Sequence, residues 1–244
     1  MPILDALLDL VFAPVCLGCD ARIAPGDTAR LVCRRCRSRL RRPPPPVCPR
    51  CGAPLLGAAR TRNSFSCAEC IEWPDALRLA RSACLLQDPA DRLVHQLKYR
   101  GWRSLAAPLG TFAASVEWPR EAHEPAVVTP IPTTERRLRR RGYNQAALLA
   151  ETVAGATARD VHLLLRRASG AATQTALQPA ARAANVAGAF TAAADCTGLH
   201  VILVDDVLTT GATAAECARV LAGAGACCVR LITFARAFEI RGLS

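Results

Sequence analysis

From about residue 75 onward, apolar runs alternate with stretches of helical character, the pattern of a parallel sheet whose strands are joined through helices. Arg81 to Leu86 reads as a strand. Asp91 to Val116 reads as helix, interrupted near Gly101 and Pro108. Ala126-Val-Val-Thr-Pro130 is a strong strand, followed by an arginine-rich loop and a helix from Gln145 to Ala156. Val161 to Leu165, Val201 to Val204 and Val229 to Phe234 supply three further strands. Before residue 75 this alternation is absent, and cysteine, arginine and proline dominate. The stretch Met1 to Val15 is the exception; it is apolar with Asp5 and Asp9 and reads as a short amphipathic helix. The chain therefore divides into residues 1–74 and residues 75–244.

The most informative segment is Val201-Ile-Leu-Val-Asp-Asp-Val-Leu-Thr-Thr-Gly-Ala-Thr213. Its apolar start reads as a buried parallel strand that ends at Asp205 and Asp206. Thr209, Thr210, Gly211, Ala212 and Thr213 follow, and then an alanine-rich stretch, Ala214 to Ala222, that should be helix. A turn between strand end and helix start offers free N–H groups and the positive end of the helix dipole, which suits a phosphate. Gly211 allows close backbone approach and the threonines add hydroxyl donors. The two carboxylates would hold sugar hydroxyls or a magnesium ion beside that phosphate. The plainer alternative is an ordinary strand end with Thr209 or Thr210 capping a helix.

The cysteines form the second pattern. Eight of the 13 fall in C-x-x-C pairs, Cys16/Cys19, Cys33/Cys36, Cys48/Cys51 and Cys67/Cys70, with 13, 11 and 15 residues between successive pairs. Two such knuckles joined by a short hairpin place four thiolates around one tetrahedral zinc, so four pairs predict two zinc ribbons in tandem. With all-cysteine ligation no coordination position is open, and the zinc is structural. A disulfide framework is the rival, disfavoured by the odd cysteine total. Cys84, Cys196, Cys217, Cys227 and Cys228 lie among apolar residues and read as core thiols. Pro43 to Pro46 is a stiff spacer between the ribbons.

Length and charge narrow the class. With 244 residues and 51% apolar content the chain can bury one mid-sized core and something smaller. No apolar run is long enough to span a membrane, and Met1 to Val15 has no Lys or Arg, the wrong charge for a secretory signal. A cytoplasmic protein is the expectation. The net charge of +11 comes from 30 Arg and one Lys and favours polyanionic partners. Arg34, Arg35, Arg37 and Arg39 belong to a basic run that is either a solvated face or a nucleic-acid contact.

A further run, Arg136, Arg137, Arg139, Arg140 and Arg141, follows the Val127 strand, on the same sheet edge as Asp205, and suits a diphosphate or a solvated surface. The single lysine, Lys98, stands in Leu97-Lys98-Tyr99-Arg100-Gly101, where a compact ammonium has a role that arginine would not fill, unless it is a tolerated surface residue. The connection from Ser169 to Ala187, with Gln174, Pro179, Arg182 and Asn185, has little apolar periodicity and reads as a mobile cover or as plain disorder.

Taken in order, these elements resemble the ComF family, the competence-associated ComFC and GntX-type proteins. The resemblance rests on the C-x-x-C pairs, Leu97-Lys98-Tyr99-x-Gly101, Pro130-Ile131-Pro132 and Arg141-Gly-Tyr-Asn-Gln145, with Tyr143 where phenylalanine is commoner. It continues through Gln174, Arg182, Asn185 and Gly188-Ala-Phe190 to the Val201–Thr213 string, covering about Leu10 to Ala235. It implies an α/β fold: a type I phosphoribosyltransferase-like parallel sheet flanked by helices, with a small N-terminal double zinc ribbon. By that likeness Asp205 and Asp206 would bind the ribose hydroxyls of phosphoribosyl pyrophosphate, and Thr209 to Thr213 its 5′-phosphate. Pro130, Ile131 and Pro132 would face the pyrophosphate, with Lys98 and Arg141 as further candidates. Magnesium accompanies that substrate. The chemistry would be loss of pyrophosphate from C1 through an oxocarbenium-like state.

The resemblance also implies a link to DNA uptake, with single-stranded DNA and the competence machinery as partners. Two functions follow, a phosphoribosyltransferase acting on an acceptor that no motif encodes, or a non-catalytic sensor of phosphoribosyl pyrophosphate that binds single-stranded DNA or a helicase-like partner.

Overall fold

The computed structural model describes residues 14–23, 30–55, 66–118, 126–168 and 188–238. The expected N-terminal helix lies almost wholly outside the described residues, as does the connection carrying Gln174, Pro179, Arg182 and Asn185.

The central sheet contains β1 (Leu77–Leu85), β2 (Val127–Pro130), β5 (His200–Leu208) and β6 (Cys228–Arg236), all parallel, in the order β1-β6-β5-β2. A separate antiparallel pair joins β3 (Leu165–Arg167) to β4 (Phe190–Ala192). The helices are α1 (Arg34–Ser38), α2 (Ala90–Tyr99), α3 (Ala106–Ala114), α4 (Glu135–Arg141), α5 (Gln145–Thr157) and α6 (Ala212–Gly223). Strand alternation divides the core into two faces. Ile202, Val204, Ile232 and Phe234 pack with residues of α2, α3 and α5, while Val201, Leu203, Val229 and Leu231 pack with α6.

Several boundaries differ from the sequence pattern, each for a physical reason. β5 does not stop before the two acids. Its pairing with β6 continues to Leu208 opposite Arg236, so Asp205 and Asp206 lie within the strand. The break after α2 falls at Gly101, whose φ of +76° is left-handed, but Pro108 breaks nothing. It sits in the first turn of α3, where a missing N–H removes no helical bond. The arginine-rich segment is helix α4 rather than loop. Val161 only bridges Val128, and the strand that follows belongs to the separate β3–β4 pair. Among the expected core thiols, Cys84, Cys196 and Cys217 are buried, but Cys227 is exposed in the turn before β6 and Cys228 is half-buried.

The two cysteine-rich segments straddle edge strand β1. Cys16, Leu17, Ile23, Val32 and Cys36 join the core on the α2/α3/α5 face, whereas Cys48, Cys51, Ala53, Cys70 and Trp73 join the core on the α6 face. The second segment and the chain leading into it close the outer edge of β1: Ala80 N–H donates to the Arg50 carbonyl and Leu85 N–H to that of Arg41, both at 2.8 Å. A sheet edge with unpaired N–H groups invites association, and here the ribbon segment covers it.

Candidate functional site

Asp205 and Asp206 are neighbours on one strand and therefore face opposite ways. Asp206 is 3% exposed and points to the α2 side, where Lys98 Nζ lies 2.9 Å from its Oδ1. Its Oδ2 is buried without a hydrogen-bond partner. Asp205 points to the α6 side and lines an open cleft together with Ile131, Val207, Leu208, Thr209, Gly211, Thr213, Ala214, Leu231 and Thr233. Its Oδ1 accepts the N–H of Asp206 at 2.8 Å. Burial, and then the charge of Asp206, push the Asp205 carboxyl up to about 7; Lys98 and Arg137 act in the opposite direction.

The turn from Thr209 to Gly211 carries the chain from β5 into α6. Gly211 caps the helix at φ +80°, Thr210 Oγ1 accepts from Ala212 N–H at 3.4 Å, and Ala215 N–H closes onto the Gly211 carbonyl. The first-turn N–H groups of α6 thus converge beside Asp205, a geometry that receives an anion. Thr233, opposite Asp205 in the sheet register, adds a hydroxyl 2.7 Å from that of Ser82. Arg137 of α4 and Arg167 of β3 are close enough for their charges to bear on Asp205 and on each other.

Of the residues the sequence singled out, Ile131, Asp205, Thr209, Gly211 and Thr213 meet at one cleft. Pro130 ends β2 and Pro132 is half-buried beside Ile131. Lys98 serves Asp206 from the opposite face. Arg141 turns away: its guanidinium lies over the Tyr99 ring at 4.9 Å and donates to Gln145 Oε1 at 2.8 Å. The segment around it organises the neighbouring loop. Gly142 closes α4 in the left-handed region, Tyr143 donates to the Leu97 carbonyl, and Asn144 caps α5 while donating to the Ile131 carbonyl. The hydroxyl of Tyr143, which phenylalanine lacks, ties that loop to the helix bearing Lys98. Arg137 belongs to the arginine run expected to suit a diphosphate, whereas Arg167, Thr233 and Trp73 were not legible as site residues. Thr233 alone had a usable signal, its place in the strand beside Asp205.

The two cysteine clusters are Cys16, Cys19, Cys33 and Cys36, and Cys48, Cys51, Cys67 and Cys70. Within each, all four sulfurs lie within 4.8 Å of one another. The first pair therefore joins the second, and the third joins the fourth. Burial pushes the Cys16 thiol up, but N–H bonds from Cys33 and Gly18 outweigh it and hold it down at about 7. A hydrogen bond from Cys51 holds Cys48 down at about 4 and pushes Cys51 itself up. Burial raises Cys70 to about 11. Four sulfurs so close cannot all ionise unaided, and a dication at each centre resolves the conflict. Both clusters fit structural zinc. Around the second, fully buried Arg236 donates to the Cys51 carbonyl at 2.7 Å and pairs with Glu69 at 2.5 Å.

The arginines after Cys33 are divided in role. Arg34 and Arg35 are exposed on α1 and Arg37 is half-buried, whereas Arg39 pairs with Asp88 at 2.5 Å and binds the ribbon to the segment before α2.

Comparison with known proteins agrees with this architecture. A family described as a double zinc ribbon domain matches residues 7–73, and one described as a phosphoribosyl transferase domain matches residues 140–240. The "DNA utilization protein YhgH" of Salmonella typhimurium is 33% identical over 191 residues, covering 76% of this chain and 82% of its own length. Its Escherichia coli namesake is 30% identical over 226 residues, covering 89% and 94%. "Competence protein ComFC" of Bacillus subtilis is 29% identical over 222 residues, covering 85% and 88%.

Proposed function

Because the chain belongs to the ComF family, a double zinc ribbon with a phosphoribosyltransferase domain, we propose that its cleft binds the magnesium complex of phosphoribosyl pyrophosphate. We take residues 1–74 as the ribbon segment and residues 75–244 as the ligand-binding segment. One observation supports the reading above the others: Asp205 and the Thr209–Thr213 turn border the same cleft at the N-terminus of α6. The turn seats the 5′-phosphate. Asp205 takes the ribose hydroxyls, and Asp206, held by Lys98 on the opposite face, sets the charge that Asp205 feels from behind the strand. Magnesium, when bound, screens the pyrophosphate and relieves the charge conflict at the two acids. Arg137 and Arg167 add positive charge beside the leaving group. Departure of pyrophosphate from C1 needs positioning and charge stabilisation but no covalent nucleophile.

Relatives named for DNA utilization and competence support a physiological role in DNA handling. A second reading, a sensor that couples this ligand to single-stranded DNA, is favoured by a specific surface. Tyr99 is 54% and Trp102 43% exposed, and the Arg140 and Arg141 guanidiniums lie over the Tyr99 ring at 5.7 and 4.9 Å. Exposed rings among arginines suit stacked bases and their phosphates.

The deciding experiment is calorimetric titration of magnesium phosphoribosyl pyrophosphate into the wild type and Asp205→Asn, with pyrophosphate release followed on the same samples. Binding that Asp205→Asn loses supports the site. Release that depends on an added acceptor makes the protein a transferase, and binding without release favours the sensor. A wild type that binds nothing overturns the ligand assignment.

A further inference from the structure

The turn that forms the floor of the cleft is not supported by the sheet domain alone. Trp73 leaves the last knuckle of the second cysteine cluster and is 7% exposed. Its Nε1–H donates to the carbonyl of Thr210 at 3.2 Å. The same ring lies against Gly211 so closely that a Cβ there would stand 2.4 Å from Cζ2 and 2.6 Å from Cε2. Gly211 thus has two reasons to be glycine, its left-handed φ and the indole beside it.

Trp73 is held equally firmly from its own side. Its N–H donates to the Cys70 carbonyl at 3.1 Å. Its carbonyl accepts from Arg50 Nη2 at 3.1 Å, and the same guanidinium donates to the carbonyls of Cys70, Pro74 and Leu77 at 3.1, 2.7 and 3.2 Å. Arg50 stands between Cys48 and Cys51 in sequence and is itself buried. An unbroken chain of bonds therefore runs from the four-sulfur centre through Arg50 and Trp73 to the Thr210–Gly211 peptide.

The geometry points to Trp73 as a positioning residue for the phosphate-binding turn: the second zinc ribbon, through this indole, fixes the Thr210–Gly211 peptide and with it the N–H groups that receive the phosphate. The inference rests on reading that turn as the phosphate seat. It assigns the ribbon a part in ligand binding that its four ligands alone do not explain. Trp73 does not line the cleft; it acts through the turn.

The test compares the full-length zinc-loaded wild type with Trp73→Phe, which keeps a ring against Gly211 but cannot donate to Thr210, and with Trp73→Leu, which can do neither. Hydrogen exchange of residues 209–213 is followed without ligand, ribose 5-phosphate is titrated calorimetrically, and indole emission is recorded during the titration. Zinc content and melting temperature serve as controls. In Trp73→Phe, two zincs and near-normal melting are expected. Exchange in the turn quickens, and affinity for ribose 5-phosphate falls about tenfold, the weight of one hydrogen bond at the upper end of its net range. The ligand-induced change in emission disappears, although Trp102 and Trp118 remain. Trp73→Leu shows the same effects enlarged. Unchanged exchange and affinity in a folded Trp73→Phe overturn the proposal, whether or not Trp73→Leu folds. A wild type that does not bind ribose 5-phosphate overturns the phosphate reading of the turn instead, and the exchange rates still decide whether Trp73 holds it.

Discussion

Two adjacent aspartates on one strand have opposite environments because successive residues of a strand face opposite sides of the sheet. Lys98 stands 2.9 Å from Asp206. Asp205 has burial and the charge of its neighbour against it, which raise its carboxyl to about 7 from an ordinary value of 3.8. The folded chain therefore holds this proton more tightly than the unfolded chain does. Its contribution to stability is fully present below about pH 4 and is lost as pH rises through about 7. An amide at this position keeps the acceptor for the Asp206 N–H and removes the charge. Asp205→Asn is expected to melt several degrees above the wild type at pH 8 and level with it at pH 4. Thermal melts across that range test this, and an equal gain at both ends would mean that burial is not what holds the proton. A carboxyl displaced this far by burial and a neighbouring charge, at the edge of a cleft, marks a candidate binding residue.

At the scale of elements, helix α4 shows what the sequence pattern conceals. Hydrophobic periodicity could not reveal Glu135–Arg141, because no residue of this helix is buried. It is held at its ends. Thr134 accepts from the Arg137 N–H at 3.2 Å, Glu135 sits in the first turn, Arg139 to Arg141 occupy the last, and Gly142 N–H closes onto the Leu138 carbonyl at 2.7 Å. The elements with strong apolar signals, β2, β6, α5 and α6, were legible in type and nearly in extent, and β5 in type alone. The first residues of β1 were not. Arg78 and Arg81 interrupt its alternation, and Arg81 is there to donate to the Pro49 and Arg50 carbonyls of the ribbon. The cleft was legible as Ile131, Asp205 and the threonine turn, but the split of the two acids between faces was not, because the apolar run stops at Val204 while the pairing continues to Leu208.

The surface beside α4 carries its own expectation. Replacing Tyr99 and Trp102 with alanine should weaken binding of a short single strand by roughly 1–3 kcal/mol per stacked base, with the salt dependence unchanged. Replacing Arg136 and Arg140 should instead lower the slope of log K against log salt by about 0.7 for each phosphate no longer neutralised. Fluorescence titrations at several salt concentrations separate the two effects. If neither pair changes binding, the exposed arginines of α1, Arg34 and Arg35, become the candidates.

For the whole molecule, the ribbons are part of the core and not an appendage. One contributes to the apolar cluster on each face of the sheet, the second and the backbone leading into it seal the outer edge of β1, and Arg236, at the far end of β6, is buried against Cys51 and Glu69. Structural zinc sites of this kind contribute on the order of 10–16 kcal/mol at neutral pH. The net stability of a folded domain is only about 5–15 kcal/mol. Withdrawing zinc therefore removes more free energy than the fold has in reserve, and the loss cannot stop at the ribbons when both cores extend into them. Purified protein should hold about two zincs per chain. Chelation should abolish the melting transition of the parallel sheet together with that of the ribbons, in one cooperative step seen by calorimetry and far-ultraviolet dichroism. A sheet that still melts at its original temperature after zinc has gone would mean that β1, though covered, does not depend on its cover.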